Sequence, residues 1–224
     1  IGDILIRFWL KFWPLKFCSG KGITSLMSRK KAQPAGNSTK IRTAILDAAM
    51  DMAARTPWEY VSLLEIAQVA GVTVDDVRCH FDTKSDMVAA IIDDLDTQVE
   101  AAFPDNDESV PVRDRVFDVL MERIDLANQN RAAHISFFKS FGWTTESSCA
   151  DLRLLRESMT RMATCAGIET EGIFGAVRVA GLSLAYLWVL MTWVRDTSPD
   201  LGKTMAELDR TLGRVDGIAN YLDL

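Results

Sequence analysis

The 224-residue chain has only two histidines and four cysteines, and they are scattered. His80 and His134 lie far apart, and Cys18, Cys79, Cys149 and Cys165 form no CxxC pair. The usual zinc spacings are therefore missing, no metal is expected, and free thiols fit a reducing, cytoplasmic compartment. No GxSxG, HExxH or GxxxxGKS/T occurs, and no glycine-rich phosphate loop follows a strand-like run. Enzymatic chemistry has no foothold, so neither a catalytic residue nor a cofactor is expected. Period-two alternation of useful length is absent too, which removes sheet architectures and leaves an all-α fold.

Material for a core is plentiful, with 48% hydrophobic and 25% charged residues. The net charge of -6 hides a division. Residues 1–40 carry eight Lys/Arg against one acid, leaving 17 bases and 30 acids for the remainder. The globular part is acidic.

The opening IGDILIRFWLKFWPLKF is aromatic, basic and apolar. Arg7, Lys11 and Lys16 interrupt it well short of the roughly 20 residues that span a bilayer, and no A-x-A-like cleavage site follows. Met27-Ser28-Arg29-Lys30-Lys31 reads as a natural start followed by a basic arm. Residues 1–26 are then either upstream sequence or an amphipathic surface helix. The stretch 28–38, rich in Lys, Gly, Pro and Ser, reads as a linker.

From there apolar residues recur with helical period. Ile41, Ala44, Ile45, Ala48, Ala49 and Met52 define a helix over about 39–55, which Pro57 stops. Ser62 caps a short second helix through Ile66 and Val69. Gly71 permits a tight turn, Thr73 caps a third short helix, and a longer one runs from Lys84 to about Phe103. Helix, glycine turn, helix is a helix-turn-helix by spacing. The polar break PDNDESVP at 104–111 separates it from further helices at about 111–127, 130–142, 148–165, 170–195 and 200–222. The expected organisation is an extension over 1–37, a helix-turn-helix domain over 38–103, and a helical domain over 111–224, about nine helices in all.

In the second half, residues 179–194 carry no charge, and Arg178 and Arg195 bracket the run. It is too short for a span and reads as a central helix, buried on all sides in a bundle or lying at a dimer seam. Phe137, Phe138, Phe141 and Trp143, with Trp188, Met191 and Trp193, form an aromatic set suited to line a pocket for a flat or long apolar ligand. Plain core packing is the more frequent explanation for any one of them, but as a set they favour an apolar ligand. His134 reads as a half-buried residue with its needs met.

The segment IRTAILDAAMDMAARTPWEYVSLLEIAQVAGVTVDDVRCHFDTKSDM resembles the TetR/AcrR signature, through ILDAA, Trp58 before Ser62, IAxxAGVT, and HF followed by Lys84. The resemblance implies a dimer that binds operator DNA and whose C-terminal helices form a ligand pocket. By the same resemblance Ser62 contacts phosphate, and Thr73 opens a recognition helix that presents Val74, Asp75 and Arg78. His80 and Lys84 would touch phosphates. Pro57 and Arg78 depart from the pattern, which usually has a glycine and a tyrosine there. Charge departs as well, because residues 40–100 hold five bases and twelve acids.

The segments VRDRVFDVLMERID and LWVLMTWVRDTSPDLGKTMAELDRTL are similar to the TetR-fold accessory proteins of ubiquinone biosynthesis. The turn containing Trp193, Asp196, Ser198, Pro199 and Asp200 carries most of that likeness. It implies an isoprenoid lipid ligand and a helix-turn-helix that no longer binds DNA. Two functions thus stand side by side, a ligand-responsive transcriptional regulator with an apolar pocket and a lipid-binding accessory protein.

Overall fold

The computed structural model describes residues 35–104, 107–141 and 145–221. Within them the fold is helical with no strand: α1 Ala35–Arg55, α2 Leu63–Ala70, α3 Val74–His80, α4 Lys84–Ala102, α5 Val112–Gln129, α6 Arg131–Ser140, α7 Thr145–Cys165, α8 Gly172–Trp193 and α9 Gly202–Tyr221. A 3-10 turn, Trp58–Tyr60, joins α1 to α2. The all-α expectation holds helix by helix. Residues 35–38, read above as linker, instead belong to α1.

Three consecutive helices start with the same device. Ser62 Oγ accepts from Glu65 N–H at 3.2 Å while the Glu65 carboxylate accepts from Ser62 N–H at 2.8 Å. Thr73 pairs with Asp76, and Thr83 with Asp86, in the same reciprocal way. Gly71 ends α2 with φ of 68°, a left-handed conformation that glycine adopts without strain, and Val72 N–H returns to Ala67 O at 3.0 Å. These local bonds set the angle between α2 and α3.

Two hydrophobic cores follow. The first gathers Ile45, Ala49, Trp58, Ile66, Val77, Phe81 and Met87, and it also takes in Ala133 and Phe137 from α6. The second is built from Leu120, Ile124, Met159, Met162, Tyr186, Val189, Trp193 and Leu208. The polar break is therefore not where the packing divides, since α6 lies beyond it and closes the first core. Helix α4 runs through both, with Met87 and Ile91 in the first and Leu95 and Val99 in the second.

Two arginines fasten loops to this frame. Arg115 Nε donates to Ala166 O at 2.9 Å and its Nη1 to Asp107 O and Val110 O, which ties down the end of the polar break. Arg131 Nη2 donates to Trp193 O and Asp196 O, both at 2.6 Å, with its guanidinium over the Trp193 ring. Asp196 in turn accepts from Ser198 and from Thr204 N–H and Oγ1, the latter two at 2.8 Å. Burial raises the Asp196 carboxyl, but the Ser198 and Thr204 hydrogen bonds outweigh it and hold the group well below the usual carboxylate range. The Trp193 to Asp200 turn is thus a structural clasp that starts α9.

Candidate functional site

Helices α2 and α3 form the helix-turn-helix, with Ile66, Ala67 and Val77 turned into the first core. Of the residues that the resemblance points to, Thr73, Asp75 and Arg78 are exposed, and so is Ser62. Val74 and His80 are half-buried, and Val74 packs against the first core. The hydroxyls of Ser62 and Thr73 are both engaged in capping. Asp76, near the start of α3, is the partner of Thr73, whose hydrogen bonds hold its carboxyl below the ordinary value. Its sequence position reflects the capping box.

Lys84 departs from the free phosphate contact that the resemblance implies. Its ammonium donates to Trp58 O and, at 2.7 Å, to Val61 O, with Glu59 O at 3.4 Å, and it sits 4.6 Å from the Trp58 ring centre. Desolvation pulls its pKa below that of a free lysine. The physical reason is that the 3-10 turn brings the carbonyls of Trp58, Glu59 and Val61 together, and Lys84 at the start of α4 is the donor within reach of all three. Trp58 is held from the other side too. Its N–H donates to Ser136 Oγ at 2.8 Å, and its ring meets Phe137 edge-on at 5.0 Å. The turn leading into α2 is consequently clamped between α4 and α6.

Trp58, Lys84 and Phe137 also border a cavity of about 400 Å³. One face of α4 forms its floor through Ser85, Val88, Ile92 and Leu95. Phe138 of α6, Phe141 just beyond its end, and Leu154 and Leu155 of α7 form the walls, and α8 adds Leu187, Leu190 and Trp193. The polar groups at the α5 side are Arg123, His134, Ser158 and Tyr186. Arg123 is buried; its Nε donates to Asp96 at 2.8 Å, one Nη to Ser158 Oγ at 3.0 Å and the other to the Tyr186 hydroxyl. Burial, with Arg123 nearby, pushes the His134 imidazole down to about 4, so it is neutral at physiological pH. Burial likewise raises the Tyr186 phenol.

The aromatic set expected to line a pocket is brought together only in part. Phe137, Phe138, Phe141 and Trp193 border the cavity. Trp188 and Met191 do not: Trp188 is 39% exposed and donates its indole N–H to Glu207 at 2.8 Å. Trp143 lies outside the described residues. On a helix apolar all round, the sequence does not mark which side faces inward. The sequence reading missed Trp58, Arg123 and Tyr186 as cavity residues. A signal existed for Arg123, which falls on the Val116, Leu120, Ala127 stripe of α5, where a charge must find a partner.

Helices α1 to α3, clamped to a helical body that borders an apolar cavity, make up the TetR fold. The chain is similar in structure to a TetR transcriptional regulator from Nitrosomonas europaea, at TM-score 0.62 and 23% identity over 78% of this chain and 96% of that one. It is also similar to a TetR transcriptional regulator from a Rhodococcus species, at TM-score 0.61 and 19% identity over 79% and 96%. A third similar structure is NalD, the secondary repressor of the MexAB-OprM multidrug efflux pump in Pseudomonas aeruginosa, at TM-score 0.52 and 22% identity over 80% and 94%. No protein-family profile and no curated protein sequence matches the chain.

Proposed function

We propose that this chain is a homodimeric, ligand-responsive DNA-binding transcriptional regulator. The observation that carries the reading is the double role of Trp58 and Lys84. Both border the cavity, and both hold the turn on which α2 and α3 hang. A molecule in the cavity therefore presses on the residues that set the pose of the reading unit, and that is the differential contact a ligand needs to bias two states.

The dimer rests on α8. Ile173, Val177, Leu184 and Trp188 recur along one stripe and are 82%, 54%, 64% and 39% exposed. Gly181 lies in the same stripe with open space above it. Although α8 is long and apolar enough to cross a membrane, only 33% of its most apolar window is buried within the chain. A second copy of the same stripe would cover it in an isologous interface.

Operator DNA would meet Ser62, Thr73, Asp75, Arg78 and His80, with Arg78 the exposed base of the recognition helix. The test is a titration of the chain against genomic DNA fragments at low salt. The acid excess of residues 40–100, with Lys84 engaged by carbonyls, favours a second reading. In it the helix-turn-helix is a scaffold and the chain is a lipid-binding accessory protein of ubiquinone biosynthesis. Mass spectrometry finding a co-purifying isoprenoid lipid, with no DNA complex at any salt concentration, supports that second reading and overturns the first.

A further inference from the structure

We propose that the cavity is selective for an uncharged, elongated, mostly apolar molecule that carries a hydroxyl or carbonyl group, and that this group hydrogen-bonds to His134. The proposal rests on the cavity being a ligand site. Shape comes from α4, which borders the cavity from Lys84 to Leu95 on one face. At a rise of about 1.5 Å per residue these eleven steps span about 16 Å. The length exceeds the width that a compact ligand needs.

Charge selectivity follows from bookkeeping of the ionised groups. Glu59 and Asp151 border the cavity with Lys84 and Arg123, so the signs cancel. Asp96, behind Arg123 at 2.8 Å, leaves an excess of one negative charge. Each nitrogen of the Arg123 guanidinium already has a partner in Asp96, Tyr186 or Ser158, and Lys84 is held by backbone carbonyls. An anionic head group finds no free counter-charge and must be desolvated without compensation. A cationic head group meets Arg123 at the inner end.

His134 differs from its neighbours. Among the described residues neither ring nitrogen has a hydrogen-bond partner, and the ring is held only edge-on against Phe137 at 6.1 Å. A neutral imidazole offers one donor and one acceptor. It is a buried polar group beside Arg123 that is still free to recognise a ligand, and a hydroxyl or carbonyl satisfies it without bringing a charge.

The test uses the full chain at pH 7.5 and three probes of equal length, 1-decanol, decanoate and decylammonium, each titrated by calorimetry with displacement of the neutral dye Nile red as a second readout. The expected result is decanol binding at least tenfold tighter than either ion. His134→Phe, which keeps the ring and removes both nitrogens, should weaken decanol about five- to tenfold, the loss of one hydrogen bond. His134→Gln should retain most of the affinity, and it keeps the test decisive if the Phe variant folds poorly. Tighter binding of decanoate or decylammonium, or unchanged decanol affinity in His134→Phe, overturns the uncharged-head assignment while leaving the cavity a ligand site. If none of the probes binds and Nile red does not either, the ligand-site reading itself fails, and this proposal with it.

Discussion

At the scale of single residues, each buried charge has specific partners, Asp96 in Arg123 of the next helix and Asp196 in Ser198 and Thr204. Arg123 and Asp96 are both buried, and removing one leaves the other uncompensated. Asp96→Ala is expected to cost about 3–5 kcal/mol in urea unfolding, far more than a surface pair would. A loss under about 1 kcal/mol would show that the pair is solvated. His134 gives a pH signature. Its folded-state pKa of about 4 lies below the unfolded value near 6.5, so the unfolded chain takes the proton first. This contribution to stability is complete above pH 6.5 and is lost as the pH falls towards 4. Between these limits the wild type should lose about 1.4 kcal/mol per pH unit more than His134→Phe. Equal slopes for the two proteins would mean that the imidazole is not held neutral. The sequence marks Arg123 on an apolar stripe but neither its partner Asp96 nor the state of His134. His134 stands between Ala133 and Ile135 with nothing to announce Arg123 beside it, and burial is a tertiary property.

At the scale of helices the sequence was far more readable, because capping and period are local. Ser62 and Thr73 marked the starts of α2 and α3, Gly71 marked the turn between them, and the apolar rhythm marked nearly every later helix. The failures share a cause. The 3-10 turn Trp58–Tyr60 depends on Lys84, more than 20 residues away, and the outward direction of Trp188 depends on what packs against the other side of α8. A helix with no polar face carries no internal sign of which face is covered. That face makes its own prediction. Leu184 is 64% exposed on the α8 stripe, so the proposed dimer predicts that by sedimentation at tens of micromolar the wild type runs as a dimer and Leu184→Arg as a folded monomer. A dimer that survives Leu184→Arg, with unchanged affinity, would place the seam elsewhere.

At the scale of the whole molecule, one continuous path joins the cavity to the helix-turn-helix. Helix α4 passes through both cores, and α6 closes the first core while Phe138 and Phe141 wall the cavity. Division into a helix-turn-helix part and a body is therefore clean in sequence and shared in packing. The central claim is that this frame presents α3 to DNA, and its most direct test is the affinity of the chain for genomic DNA fragments as a function of salt. The account predicts sequence-dependent complexes at low salt, with affinity falling linearly on logarithmic axes. Arg78→Ala should weaken all of them and flatten that slope by about one unit, the contribution of one phosphate contact. The absence of any complex at low salt, from a folded dimer that still binds an apolar ligand, would contradict the account.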